Sequence, residues 1–222
     1  MRNFFSSTAA TYGTPDVEAV REDTPQRPIN PYGMSKLMTE HMLRDVAAAH
    51  PMNFCALRYF NVAGADPQAR SGQSTAGATH LIKVAVEAAL GKRDAVSVFG
   101  TDYDTPDGTG VRDYIHVMDL AEGHKAALET LLSQGPQHLT CNLGSGDGAS
   151  VLDVVNAFSA ASGQDIPYAL VDRRPGDAAI TVADPTRAAS TLLWRTKRTL
   201  TDMCRDGWAW QQANPAGDRQ NP

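Results

Sequence analysis

The sequence predicts an α/β fold built on a largely parallel sheet, and three observations carry that prediction. Short apolar runs bounded by turn residues alternate with longer helical stretches along the chain. Several helical stretches carry their own start and stop residues. No apolar run is long enough to span a bilayer. Alternation of this kind favours parallel strands joined by helical crossovers. At 222 residues, 42% hydrophobic and 20% charged, the chain has the composition of a globular protein with a sizeable core.

Taken in order, the chain opens on Arg2-Asn-Phe-Phe5, which reads as the end of a strand. A helix is expected from about Pro31 to Ala49, because Asn30-Pro31 suits a helix start and Leu37, Met38, His41, Met42 and Val46 recur near one face. Cys55–Tyr59 reads as a strand. A second helix runs from His80 to Leu90 and is closed by Gly91, a C′ glycine. Val96–Phe99 and the Tyr114-Ile-His-Val117 segment read as strands, and a third helix spans roughly Val117 to Leu132. Leu139–Leu143 is a further strand. Ser150 and Asp153 stand at capping-box spacing before a fourth helix to Ala161, closed by Gly163. Tyr168–Val171 is the last strand, and the tail from Ala213 to Pro222 reads as a frayed end.

Charge and composition exclude some classes of partner. The formal net charge of −5 argues against nucleic acid or a polyanionic membrane surface. Cys55, Cys141 and Cys204 are odd in number and widely spaced, which fits reduced thiols better than a disulfide framework. With no secretory apolar segment at Met1–Ser7, a cytoplasmic protein is expected. The histidines show no metal-ligand spacing, so no metal is expected. Nor does any segment fit the strand–glycine loop–helix unit of a dinucleotide site. The nearest candidate, Gly144-Ser-Gly-Asp-Gly148, has the wrong glycine spacing and is read as a tight strand-to-helix turn.

The chemistry sits near the front. Tyr32-Gly-Met-Ser-Lys36 places a phenol and an ammonium four residues apart, on one helix face. An ammonium nearby favours the phenolate, which makes Tyr32 a candidate general base for a sugar hydroxyl. By itself the pair is weak evidence, since helix surfaces carry such pairs by accident. Phe5-Ser-Ser-Thr-Ala-Ala-Thr-Tyr-Gly13 adds a hydroxyl-rich turn after a strand, and with it a Thr/Ser–Tyr–Lys set.

With these residues in view the chain resembles the extended short-chain dehydrogenase/reductases and, within them, the UDP-glucose 4-epimerases. The resemblance runs from Asn3 to about Pro215 and is most specific over Phe99–Ala121, which contains Gly-Val-Arg-Asp-Tyr-Ile-His-Val-Met-Asp-Leu. Arg58-Tyr-Phe-Asn-Val-Ala-Gly64, Asn142-Leu-Gly144, Arg173-Arg-Pro-Gly-Asp177 and Trp208-Ala-Trp210 add to it. It implies the C-terminal part of a Rossmann-type doubly wound parallel sheet plus a smaller α/β substrate-binding domain. Residues 1–61 would be the remainder of the NAD-binding domain with the catalytic helix. Residues 62–222 would bind the UDP-sugar, with about 111–144 returning to the first domain.

The resemblance also implies roles. Tyr32 would take the proton of the sugar 4-hydroxyl while NAD takes the C4 hydride, with Thr8 sharing that hydroxyl. Lys36 would hold the nicotinamide ribose and tune Tyr32, and Phe60 would line the nicotinamide. Asn61 would contact the sugar diphosphate, and His80 and Leu81 would present the head of the following helix to it. Ser97 and Phe99 would border the uracil. Arg112 and Arg174 would grip the diphosphate, a task suited to the guanidinium fork. Tyr114 and Asp177 would complete the pocket, Asp177 at the uridine ribose. His116 is expected to be a structural histidine and the two tryptophans core anchors. A small Thr181 would leave room for an N-acetyl group at the sugar C2, so UDP-GlcNAc is a possible substrate beside UDP-pentoses. Dehydratases of the group follow the catalytic Thr with Asp-Glu, whereas Thr8 is followed by Ala9-Ala10, which favours epimerisation. The family's first hundred or so residues, with the glycine loop, would precede this chain. The chain as written is therefore expected neither to retain NAD nor to turn over substrate, leaving a non-catalytic nucleotide-sugar-binding fragment as the alternative. In the full-length family a homodimer is expected.

Overall fold

A computed structural model describes residues 2–75, 77–133, 138–215 and 217. The first half contains β1 (Arg2–Thr8), a 3-10 turn (Ala9–Thr11), α1 (Pro31–Ala49), β2 (Asn53–Tyr59), β3 (Asn61–Ala63), α2 (Leu81–Ala89) and β4 (Val96–Phe99). Then come β5 (Val111–His116), α3 (Val117–Ser133), β6 (His138–Leu143), β7 (Gly148–Ser150), α4 (Val151–Ser162), β8 (Tyr168–Val171), β9 (Ile180–Thr181), α5 (Thr186–Thr191) and α6 (Leu200–Ala213). Much of the expected frayed tail lies outside the described residues. Among the described residues no helix is long and apolar enough to cross a membrane.

The α/β prediction holds, and every strand pairing among the described residues is parallel except β5 with β7. One sheet has the order β1-β2-β6. Its register brings Thr8, Tyr59 and Leu143 level at the carboxyl ends of the three strands, the edge where open α/β sheets bind ligands. A second sheet is built around β5, flanked by β3, β7 and β9, and β4 pairs separately with β8.

Local signals explain the helix ends. Asn30 caps α1 by accepting the Gly33 N–H at 2.8 Å, with Pro31 in the first turn. Ser150 and Asp153 form a full capping box on α4, and Gly163 ends that helix in the left-handed region. Thr199 and Asp202 build a second capping box on α6, a helix the apolar pattern does not reveal.

Two cores result. Cys55, Leu57, Cys141 and Leu143 of the first sheet pack on Ala127 and Leu131 of α3, and on Ala188, Leu192 and Trp194. Ile82, Val86, Val155, Phe158, Met203 and Trp208 pack between α2, α4 and α6, with Phe158 and Trp208 edge to face at 5.9 Å. Trp210 is likewise buried, against Gly72, where a Cβ would stand 2.3 Å from the indole. The three cysteines are free and buried. Burial pushes the Cys204 thiol up to about 12, and contact with Cys141 together with burial pushes Cys55 up.

One expectation needs correction. The residues read as recurring near one face of α1 do not together form its inward face: Leu37 is buried, but Met38, Met42 and Val46 are 57%, 56% and 44% exposed, and His41 is exposed. The helix turns Gly33, Leu37 and Glu40 inward instead, and a buried carboxylate is invisible to a search for apolar periodicity. Within 111–144, β5 hydrogen-bonds to β3, β7 and β9, while its Ile115 is buried in the core of the first sheet beside α3 and β6. The stretch from Ala188 to Trp194 also joins the first core, which the sequence did not announce.

Candidate active site

The carboxyl edge of the first sheet gathers the hydroxyl-rich turn and the head of α1. Thr8 caps the 3-10 turn, and its Oγ1 accepts the Ala10 N–H at 3.2 Å, which leaves the hydroxyl proton to donate outward. Lys36 Nζ donates to the Ser6 carbonyl at 2.9 Å and stands 5.7 Å from the Tyr32 ring centroid and 5.1 Å from that of Phe5. Strand β1 thus holds the ammonium beside the phenol. Tyr32 is 51% exposed, free to reach a ligand. Gly33 makes the approach possible: a Cβ there would sit 2.4 Å from the Ala10 carbonyl oxygen. Phe60 is buried in a small core with Tyr12, Val20 and Ala183.

Tyr59, at the end of β2, is a neighbour that the sequence reading missed. Burial raises its phenol pKa, the charge of Tyr32 adds to that, and a hydrogen bond with Ser6 works against both. Ser6 also bonds His124 Nε2 at 3.0 Å, while His124 Nδ1 lies 2.9 Å from the Leu120 carbonyl. Nδ1 therefore carries the ring proton and Nε2 accepts from Ser6.

Beneath this corner lies a dry polar knot. Arg58 grips Glu40 with two bonds, Nε to Oε1 at 2.9 Å and Nη2 to Oε2 at 2.6 Å, and both side chains are buried. Arg58 also donates to the Tyr12 hydroxyl at 2.8 Å and to the Glu22 carbonyl at 3.1 Å, and Ser7 donates to Glu40 at 2.5 Å. Tyr12 in turn donates to Asn142 Oδ1 at 2.7 Å. Burial alone would raise the Glu40 pKa, but the Arg58 bonds and charge outweigh it and hold it low. The knot ties α1 to all three strands of the first sheet.

A cavity of about 460 Å³ opens between β3, β4, β5, the head of α2 and the segment that follows β8. Asn61, His80, Leu81, Ser97, Phe99, Arg112, Tyr114, Arg174 and Asp177, all expected to bind substrate, line it together. The reason for Arg112 and Tyr114 is strand alternation on β5: they face the cavity while Asp113 faces away. Among the described residues no carboxylate forms an ion pair with Arg112, which donates to the Val111 carbonyl at 2.8 Å. Burial lowers its pKa, offset by Asp177, so its charge favours an anion in the cavity. Burial also pushes the Tyr114 phenol up to about 12.

The paired arginines divide. Arg174 lies in the cavity wall, 4.4 Å over the Phe99 ring, and pairs with Asp177 at 2.9 Å. Arg173 pairs with Asp102 at 2.5 Å and lies 3.9 Å over the Tyr103 ring. The His80 side chain bonds Gln73 at 2.8 Å and makes no cap bond to α2, leaving the first-turn N–H groups to the cavity. Lys83, Tyr103 and Gln211 also line the cavity and escaped the sequence reading. Thr181 pairs with Arg112 across β5 and β9, half-buried.

The glycine-rich turn after β6 has its donors in use. Asp113 accepts the N–H groups of Ser145 at 2.8 Å and Gly146 at 3.0 Å, and the Ala183 N–H at 3.1 Å. A side-chain carboxylate takes the place a phosphate would need, and burial raises the pKa of Asp113 despite these bonds. His116 is fully buried between the Asp206 carboxylate, 3.2 Å from Nε2, and the Met118 N–H, 3.1 Å from Nδ1. Among the described residues no group of His, Cys, Asp and Glu is arranged to hold a metal.

A family model described as GDP-mannose 4,6 dehydratase matches residues 1–207. The chain is 53% identical over 210 residues to a UDP-glucose 4-epimerase of Azospirillum brasilense, covering 94% of this chain and 60% of that one. A crystal structure of the UDP-glucose 4-epimerase of Bifidobacterium longum, in complex with NAD+ and UDP, superposes with a TM-score of 0.92 at 44% identity, over 98% of this chain and 65% of that one. The Stenotrophomonas enzyme, with bound NAD and formylated UDP-arabinopyranose, superposes with a TM-score of 0.93 at 42% identity, over 96% of this chain and 64% of that one. The chain thus spans less than two thirds of the length of these relatives. It belongs to the GDP-mannose 4,6 dehydratase family, and within that family it is similar to the UDP-glucose 4-epimerases.

Proposed function

We propose that this chain is the catalytic-helix and substrate-binding part of a UDP-sugar 4-epimerase that interconverts UDP-galactose and UDP-glucose. The observation that carries the reading is the cavity itself, where an arginine without an ion pair, a second arginine over an aromatic ring and a helix head converge. Such a set holds a nucleoside diphosphate. In this reading Thr8, Tyr32 and Lys36 serve the same ligand, a reading supported by the chain's passage from β2 of the first sheet to β3 of the cavity wall within two residues.

In this reading Arg112 and Arg174 hold the diphosphate, Phe99 and Ser97 the base, and Asp177 the ribose, while the sugar reaches the sheet edge. Thr8 donates to the sugar 4-hydroxyl and orients it, and Tyr32 removes and later returns its proton. Lys36, anchored on the Ser6 carbonyl, keeps positive charge beside the phenol. NAD, when bound, accepts and returns the hydride at C4. The nicotinamide ribose end fits Tyr32 and Lys36; the pyrophosphate finds no glycine cradle among the described residues, because Asp113 occupies the N–H groups of the turn after β6. Ala9-Ala10 after Thr8 favours epimerase over dehydratase chemistry.

The division into an NAD-binding remainder over 1–61 and a substrate part over 62–222 stands with this reading, as do a cytoplasmic location and a homodimer. Three buried free thiols suit a reducing compartment. The exposed stripe of Met34, Met38, Met42 and Val46 gives α1 an apolar face that a second copy can cover.

Three measurements test the proposal. Titration calorimetry of the chain with UDP should show saturable binding, and its absence at millimolar ligand would overturn the substrate reading. Joined to the N-terminal segment of the Azospirillum relative, the chain should epimerise UDP-galactose and lose that activity on Tyr32→Phe. The chain by itself should release no dinucleotide on denaturation. Tight NAD binding without that segment would instead mean that these residues build a complete cofactor site.

A further inference from the structure

The loop between β4 and β5, residues 100–110, presents a buried phenol that the protein leaves without a partner. Tyr103 is 7% exposed, lines the cavity, and its hydroxyl has no hydrogen-bond partner among the described residues. Buried hydroxyls are almost always bonded, since an unmade bond costs stability. Both other parts of the residue are well held. The backbone is pinned by Tyr103 N–H to the Gly108 carbonyl at 3.0 Å and by Thr105 N–H to the Tyr103 carbonyl at 2.9 Å. The ring is covered by the Arg173 guanidinium at 3.9 Å, itself tied to Asp102. Gly100, at φ +79°, leaves room for this stack: a Cβ there would meet both the ring and the Arg173 stem at 2.6 Å. A side chain fixed so firmly with its polar end idle is aimed at something outside the protein.

Arg112 indicates what that is. It shares the cavity with Tyr103, makes no ion pair among the described residues, and feels the Tyr103 phenol electrostatically. A phenolic O–H beside a guanidinium that makes no ion pair suits an anion with several acceptor oxygens.

We infer that the Tyr103 hydroxyl is a third donor to the diphosphate of the bound nucleotide, beside Arg112 and Arg174, with Arg173 as the positioning residue that aims it. This rests on the nucleotide-sugar reading of the cavity and deepens it.

The test is calorimetry and thermal melting of the chain with Tyr103→Phe, using UDP and uridine as probes. Phenylalanine keeps the ring and the Arg173 stack, so the ligand-free variant should melt at or above the wild-type temperature, because an unpaired buried hydroxyl has been removed. Its UDP affinity should fall about tenfold or more, the range for a hydrogen bond to a charged group, while uridine binding stays the same. Arg173→Met should weaken UDP binding in the wild type and add little in the Tyr103→Phe background. An unchanged UDP affinity would overturn the inference and leave the hydroxyl buried without a ligand. An equal loss for UDP and uridine would also overturn it, by assigning Tyr103 to the nucleoside. A fall in ligand-free stability would make its role structural. If the wild type itself does not bind UDP, the reading of the cavity fails first, and the two failures are thereby distinguished.

Discussion

Arg58→Met removes the centre of the polar knot that fixes α1, and the structure sets its cost. The guanidinium makes two bonds to Glu40, one to Tyr12 and one to the Glu22 carbonyl, all out of water. Methionine fills similar space but leaves the Glu40 carboxylate buried, with only Ser7 and the half-exposed Arg44 beside it. Breaking a buried ion pair from one side costs about 3–5 kcal/mol. For a chain of this length that is roughly 6–20 °C in Tm, at about 2–4 °C per kcal/mol. The pH dependence gives a second signature. In the wild type the folded pKa of Glu40 lies below its unfolded value of about 4.3, so its contribution is present above that pH and is lost as pH falls through the folded value. In Arg58→Met the sign reverses: burial without the guanidinium raises the folded pKa, and the penalty is relieved as pH falls. Urea melts followed by circular dichroism at pH 7.5 and pH 5 should show the variant's deficit narrowing at the lower pH. Glu40→Leu added to Arg58→Met should recover more than half of the loss, since no buried charge is then stranded. A loss under about 1 kcal/mol at pH 7.5, or a deficit that widens at pH 5, would refute the assignment of the knot as the tie between α1 and the sheet.

Gly33→Ala should destabilise by about 1–3 kcal/mol and reduce turnover in the joined enzyme, because its Cβ meets the Ala10 carbonyl at 2.4 Å and drives Tyr32 away from Thr8; wild-type melting and activity would contradict this. Burial holds the His116 pKa below 6.5 against the pull of Asp206. Its neutral form is therefore the folded form, and the stability it contributes, present above about pH 6.5, is lost as pH falls through the folded value. Urea midpoints of the wild type should drop between pH 7.5 and 5.5 more steeply than those of His116→Gln. Thr181→Tyr should weaken UDP-GlcNAc relative to UDP-glucose in binding titrations, through added bulk opposite Arg112; an unchanged ratio would remove Thr181 from the choice of sugar.

What could be read from the chain was local. Asn30-Pro31 and the Ser150–Asp153 box mark helix starts, and Gly91 and Gly163 mark ends, because caps are made within one turn of chain. The Tyr32–Lys36 spacing likewise put that pair on one helix face, since the helix period decides which side chains share a face, whereas Arg112 and Tyr114 were named through the family resemblance. The strands β7 and β9 escaped notice because they are two or three residues long and exist through pairing with β5.

The sequence by itself determined the alternating α/β order and the helix that carries Tyr32 and Lys36, and its resemblance named the residues that the cavity now gathers. Tertiary structure alone decided which polar groups are satisfied. It paired Arg58 with Glu40 and wrapped the glycine turn around Asp113. It also left the methionines of α1 uncovered and Tyr103 with an idle hydroxyl. The reason is physical: apolar burial leaves a periodic trace along the chain. The partner of a buried charge or hydroxyl is set by distance in space, and residues 18 or 33 positions apart meet only once the sheet has formed.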